Sequence, residues 1–224
     1  SCMRALESGA FDAGQRYALL VARAKALAFA GQGKLAAEAF LEAAKHAPVS
    51  DTRELIRNAA EQFLLCGDLQ RGRTTLARVL AFEGIGFRHS TGGAVASVIL
   101  SQSRLLMRGY AFRPRPQNDA STKRKLELLR LATHGFFRAD QLRSMDYCAR
   151  WAMAALNVGD DREVGRALAV HLAFEAFAPG VSPARMRQLA RLCTESAGRT
   201  GDWMTQVFVS GAAGWHNLLN GHAD

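Results

Sequence analysis

The chain has 224 residues, 49% of them hydrophobic and 8% aromatic, with five prolines and a formal net charge of +9. Apolar residues run along the whole length, which excludes global disorder, yet no run of eighteen is present to span a bilayer. Ala and Leu dominate nearly every segment and no period-2 run of β-branched residues occurs, so a β fold is excluded and an all-α chain is predicted.

The first predicted helix covers 15–30, with Leu19, Leu20, Ala24 and Leu27 on one face. Gly31-Gln32-Gly33 ends it, the return helix covers 34–46, and Pro48 closes the pair. Asp51 with Glu54 three residues on reads as a capping box opening a third helix to 66. Gly67-Asp68 turns the chain into a fourth helix ending at Phe82, and 84–88 is a connector. A long helix is predicted for 93–110, then a proline-marked loop around Pro114 and Pro116. Helices at 121–138 and 139–157 follow. After Gly159, Asp160 with Glu163 opens another to Phe177, which Pro179 breaks. Ser182-Pro183 is an N-cap followed by a first-turn proline, and a helix to Gly198, a turn at Thr200-Gly201-Asp202 and a helix to Asn220 complete the series.

A repeat lies under these elements. Gly31, Ala36, Phe40, Ala43 and Pro48 fall at offsets 0, 5, 9, 12 and 17, and Gly67, Gly72, Leu76, Val79 and Gly84 take the same offsets thirty-six residues later. Cys148, Ala152 and Ala155, leading to Gly159, Val164, Leu168 and His171, recover the pattern. Ser210, Gly214 and Asn217, leading to Gly221, repeat its first half. Small residues recurring at this period where helices must approach closely mark stacked helical pairs. The return helix expected after 221 is missing, so the chain is expected to stop mid-repeat and to be part of a longer protein.

Ala24, Gly31, Ala36, Phe40, Ala43 and Pro48 resemble the tetratricopeptide repeat, whose consensus sets a small residue, glycine, alanine, an aromatic, alanine and proline at these spacings. Ala60, Phe63, Gly67, Gly72, Leu76 and Val79 follow it more loosely, and Leu20 and Ile56 replace the family's tryptophan. The resemblance implies an α-α superhelix of about ten antiparallel helices. It would form a single domain over 1–224, regular at about 15–84 and 147–221 and irregular at about 85–146. The runs from Arg78 to Phe87 and from Arg104 to Arg113 resemble the C-terminal helical region of large bacterial signalling proteins. Those carry a serine/threonine kinase domain and an AAA-type (STAND) ATPase domain, which implies a sensor or scaffold role.

Catalytic signatures were sought in the same residues. Gly33-Lys34 is the nearest approach to a phosphate-binding loop, but position 28 is Ala and position 35 is Leu. Gly84-x-Gly86 lacks a third glycine, and neither a His-Arg-Asp nor an Asp-Phe-Gly sequence occurs. None of His46, His89, His134, His171, His216 and His222 forms an H-E-x-x-H pair, and Cys2, Cys66, Cys148 and Cys193 form no C-x-x-C cluster. A Cys148/His171 nucleophilic pair lacks a third orienting group. The expectation is therefore no catalytic residue, no metal and no cofactor, in a reduced cytoplasmic chain.

What remains is surface. The repeat resemblance places Ala18, Val21, Lys25 and Ala28 of one helix and Glu54, Arg57, Glu61 and Leu64 of another along a groove, with Asn58 at an asparagine of the carboxylate clamp of chaperone-binding members. Val21 and Lys25 replace that clamp's first lysine and asparagine, so carboxylate capture is not expected. Lys25, Arg57, Asn58 and Glu61 are the predicted contacts for a protein or peptide, possibly a neighbouring domain of the same polypeptide. Solvated pairing of Glu61 with Lys25 or with Arg57, the latter at i, i+4 spacing, is the competing reading. A second surface is the basic stretch of Arg104, Arg108, Arg113, Arg115, Lys123, Arg124, Lys125 and Arg130, which against Asp119 and Glu127 carries +6. With Tyr110 and Phe112 for stacking it offers the alternative function, nucleic-acid binding.

Overall fold

Glycine turns and polar caps cut the chain into ten α-helices among the residues that the computed structural model describes, 13–116, 119–137, 140–178 and 180–219. They are α1 (Ala13–Phe29), α2 (Gly33–His46), α3 (Val49–Leu65), α4 (Leu69–Phe82), α5 (Thr91–Arg108), α6 (Ala120–Phe136), α7 (Gln141–Val158), α8 (Asp161–Phe177), α9 (Pro183–Thr200) and α10 (Trp203–Leu219). Among the described residues there is no strand, and no helix is long and apolar enough to cross a membrane. The chain is an all-α helical repeat protein. The predicted boundaries at 138–139 and 220–221, with Cys2, Pro179 and His222, lie outside the described residues.

The offset-zero glycines have one conformational cause. Gly31, Gly67 and Gly159 have φ of 71°, 83° and 82°. Past Gly31, the Gln32 N–H donates to the Leu27 carbonyl at 2.9 Å and the Gly31 N–H to Ala28 at 3.1 Å. Asp68 and Gly67 repeat the closure onto Phe63 and Leu64 at 2.9 and 3.3 Å. This double closure satisfies the last helical carbonyls and needs a left-handed residue, which glycine adopts without a Cβ clash. The offset-five slot is small for a different reason. A Cβ on Gly72 would stand 2.7 Å from Leu64 Cδ2 and 3.3 Å from the Leu64 nitrogen, so any larger residue there requires the Leu64 side chain to move.

The chain divides into two compact units, Ser1–Phe87 and Arg88–Asp224. In the first, each helix packs on the next, from α1 to α4. Leu20 and Ala24, then Ala37, Phe40 and Ala43, then Leu55, Ala59 and Phe63 form one core, each set spaced three or four residues apart on its helix. Arg71 fastens the start of α4: its Nε donates to Asp68 at 2.9 Å, Nη2 to Glu38 at 2.7 Å, and the guanidinium lies 4.2 Å from the centre of the Phe63 ring.

In the second unit α7 packs against α5, α6 and α8, while α8 also packs against α9 and α10. Tyr147, Cys148, Trp151, Ala152 and Ala155 of α7, with Val164, Leu168 and Leu172 of α8, are buried throughout. Arg143, 7% exposed, pairs with Asp140 and donates to the Arg88 and His89 carbonyls, pinning the segment that leads into α5.

Several boundary readings shift. The long helix ends at Arg108 and not at Tyr110, because Gly109 at φ 69° closes it. Asp51 is not a cap: α3 begins at Val49 after Pro48, and the Asp51 carboxylate instead accepts from Tyr17 Oη at 2.9 Å and Ser50 Oγ at 2.8 Å. Asp160 does cap α8, accepting from the Glu163 N–H at 3.0 Å, and Ser182 caps α9. The slots read on the last helix are also displaced. Ser210, Gly214 and Asn217 are exposed, whereas Thr205 and Ala212 are buried and Phe208 and His216 half-buried. Packing of α10 against α8 and α9 selects that second stripe over the one the repeat register marks.

Candidate functional site

Lys25, Asn58 and Glu61 converge on one cavity in the first unit. Lys25 lies four residues before Phe29 on the final turns of α1, and Asn58, Glu61 and Gln62 share one face of α3. These residues, with Ala28 and Phe40, line a cavity of about 330 Å³. The register of the two helices is fixed at the far end of α1, where Tyr17 donates to Asp51 in the first turn of α3. Phe40 is buried in the core below, and Phe29 at the lip is 95% exposed.

The arrangement is a small apolar floor edged by a cation, an anion and two carboxamides. Asn58 and Gln62 each offer a donor and an acceptor, matching the N–H and C=O of an extended backbone. Lys25 and Glu61 supply opposite charges for selecting side chains. Arg57, half-exposed on α3, lies outside this lining, and no ion pair joins it to Glu61 among the described residues. Leu64, read as a groove position, is instead 8% exposed and packed on Gly72. Phe29 and Gln62 were missed, although each stands four residues from a residue already singled out, Lys25 and Asn58.

The basic stretch divides into exposed and engaged side chains. Arg104 lies on α5, Arg113 and Arg115 on the segment after it, and Lys123, Arg124 and Lys125 in the first turns of α6; all six are exposed. Arg108 is structural, its Nε donating to Asn157 at 2.7 Å and its Nη1 to the Gly109 and Ala111 carbonyls at 2.8 and 3.0 Å. Arg130 is half-buried and lines a different cavity. Tyr110 is not available for stacking: it is 8% exposed, accepts from Arg185 Nη2 at 3.2 Å, and lies 3.4 Å from His171 Nε2.

Nor do Cys148 and His171 form a nucleophilic pair. The Cys148 thiol, fully buried, donates to the Ala167 carbonyl at 3.7 Å, and burial pushes its pKa far up. His171 faces Glu175 Oε1 at 3.3 Å instead. Cys193 is likewise buried, its pKa pushed up to about 12. Among the described residues no group of His, Cys, Asp and Glu could hold a metal ion.

No family model matches the chain, and no curated protein matches it. Among solved structures, the crystal structure of BtubC (BKLC) from P. vanneervenii is similar across the whole of this chain and 88% of its own, at 15% identity and a TM-score of 0.31.

Proposed function

We propose that the chain is a non-catalytic interaction module whose first unit binds an extended peptide segment of a partner protein. The observation that carries this is the convergence of Lys25, Asn58 and Glu61, which the repeat resemblance singles out, on one cavity with an apolar floor and an exposed aromatic lip. Phe29 and Phe40 offer an anchor for one apolar side chain, the carboxamides of Asn58 and Gln62 register the backbone, and the Lys25/Glu61 pair selects sequence. The resemblance of the 78–87 and 104–113 runs to signalling kinase and ATPase proteins supports a role in which an attached enzyme reads out this binding.

The test is selection of peptides from a random display library on the full chain, followed by anisotropy titration of the selected sequences. Asn58→Ala and Lys25→Glu are each expected to weaken binding by about tenfold, near 1.4 kcal/mol. Selected peptides indifferent to both changes would refute the groove, and ATP turnover by the chain alone would refute the non-catalytic reading.

A further inference from the structure

The second unit contains a larger cavity that the peptide reading does not use. It measures about 520 Å³ and is lined from α6 by Arg130 and His134, from α7 by Trp151, from α8 by Arg166 and Val170, and from the start of α10 by Trp203, Met204 and Phe208. That volume falls in the range of small-molecule sites. Its walls are aromatic: His134 stands edge-on to Trp151 with centroids 5.9 Å apart and 6.4 Å from Phe208, while Trp203, 65% exposed, borders the mouth.

The charged groups sort themselves into committed and uncommitted. Arg166 binds Asp202 through Nε at 2.8 Å and Nη2 at 3.0 Å, and Asp202 also accepts from Thr205 Oγ1 at 2.8 Å. The nearby Glu163 accepts from Trp151 Nε1 at 2.8 Å and lies 3.8 Å from Arg166. Both carboxylates are therefore engaged. Arg130 is different: its charge acts on Glu163 from a distance, and its Nε is buried with no hydrogen-bond partner among the described residues. A buried guanidinium N–H lacking an acceptor is costly and rare in folded proteins.

We propose that this cavity binds a small aromatic monocarboxylate, its carboxylate accepting from Arg130 and its ring seated among His134, Trp203 and Phe208. A carboxylate meets the guanidinium that Arg130 contributes to the lining in a planar two-bond fork. A single negative charge suits Arg130, whose charge is already felt by Glu163, whereas a phosphate dianion would meet twice the repulsion from Glu163 and Asp202. A quaternary ammonium, the usual guest of an aromatic cage, would be opposed by Arg130 and Arg166.

The test is calorimetric titration of the full chain with 1-naphthoate and with its neutral analogue 1-naphthalenemethanol. Saturable naphthoate binding is expected, with the alcohol at least about tenfold weaker, a comparison that needs no variant. Arg130→Gln and Trp203→Ala, each checked for an unchanged thermal melt, are expected to weaken naphthoate to a similar degree. Lys25→Glu and Asn58→Ala, in the other unit, are expected to leave it unchanged. Absence of saturable binding at millimolar naphthoate, equal binding of acid and alcohol, or naphthoate binding unchanged by Arg130→Gln would overturn the assignment.

Discussion

Among single residues, His171 carries the clearest pH signature. It is 1% exposed on α8, with Nε2 facing Tyr110 Oη and Glu175 Oε1 and Nδ1 buried without a hydrogen-bond partner among the described residues. Burial, helped by the Arg185 charge, pulls its pKa down to about 4, so the folded state holds the neutral ring. Between that value and the ordinary 6.5 the unfolded chain binds the extra proton, so stability is complete above pH 6.5 and is lost on acidification toward 4. The shift corresponds to roughly 3 kcal/mol. Glu175, raised by burial, acts with the opposite sign: its contribution is present below its unfolded pKa and is lost as pH rises through its folded one. Urea midpoints of the parent and His171→Gln from pH 7 to 4 isolate the histidine. The parent is expected to lose more over that interval, and parallel curves would show that His171 takes up its proton freely in the folded chain.

Two glycines of the same repeat slot separate backbone cost from crowding. Gly31 and Gly159 share a positive φ, but a Cβ on Gly31 would meet nothing within 4 Å, whereas on Gly159 it would stand 2.5 Å from the Arg113 carbonyl. Gly31→Ala is expected to cost about 1 kcal/mol from conformation alone. Gly159→Ala should cost more, because it also displaces the strap in which the Arg115 N–H donates to Gly159 O at 2.8 Å. Equal losses in chemical denaturation would show that the strap gives way freely.

At the scale of elements, most of the fold could be read because its determinants are local. A glycine that must be left-handed, a serine or aspartate that caps, and apolar residues three or four apart leave their mark within one helix, so Phe40, Phe63, Leu76 and Leu168 stand where their spacing puts them. What spacing could not show depended on partners distant in sequence. Tyr17 claims Asp51 from the capping role its position invites, and Arg185 claims Tyr110 from the surface. On α10 the packing of α8 and α9 chooses the stripe. The candidate groove followed the same division: the repeat resemblance pointed to Lys25 and Glu61, which line the cavity, but not to Arg57 lying outside the lining. The Asp51 assignment can be measured. In a double-mutant cycle, Tyr17→Phe and Asp51→Ala are expected to couple by about 0.5–1.5 kcal/mol. Additivity would mean that Asp51 acts within α3 alone.

For the molecule as a whole, charge is the property that belongs to no single helix. The formal surplus of +9 is concentrated in the basic stretch, where Arg108 is tied down by Asn157 and backbone carbonyls and Arg130 lines a cavity. Arg104, Arg113, Arg115, Lys123, Arg124 and Lys125 remain exposed, on α5, on the strap and on α6. Exposed cations attract a polyanion through counterion release, which fades as salt rises and does not by itself distinguish sequences. Titration with a random single-stranded oligonucleotide is therefore expected to show binding at low salt that is lost near 0.15 M, where screening acts over about 8 Å. Removing three phosphate contacts in Lys123→Ala/Arg124→Ala/Lys125→Ala should flatten the slope of log K against log salt by about 2. Binding that survives physiological salt with a base preference would instead make this surface a built nucleic-acid site, because preference requires contacts to bases that charge alone does not supply.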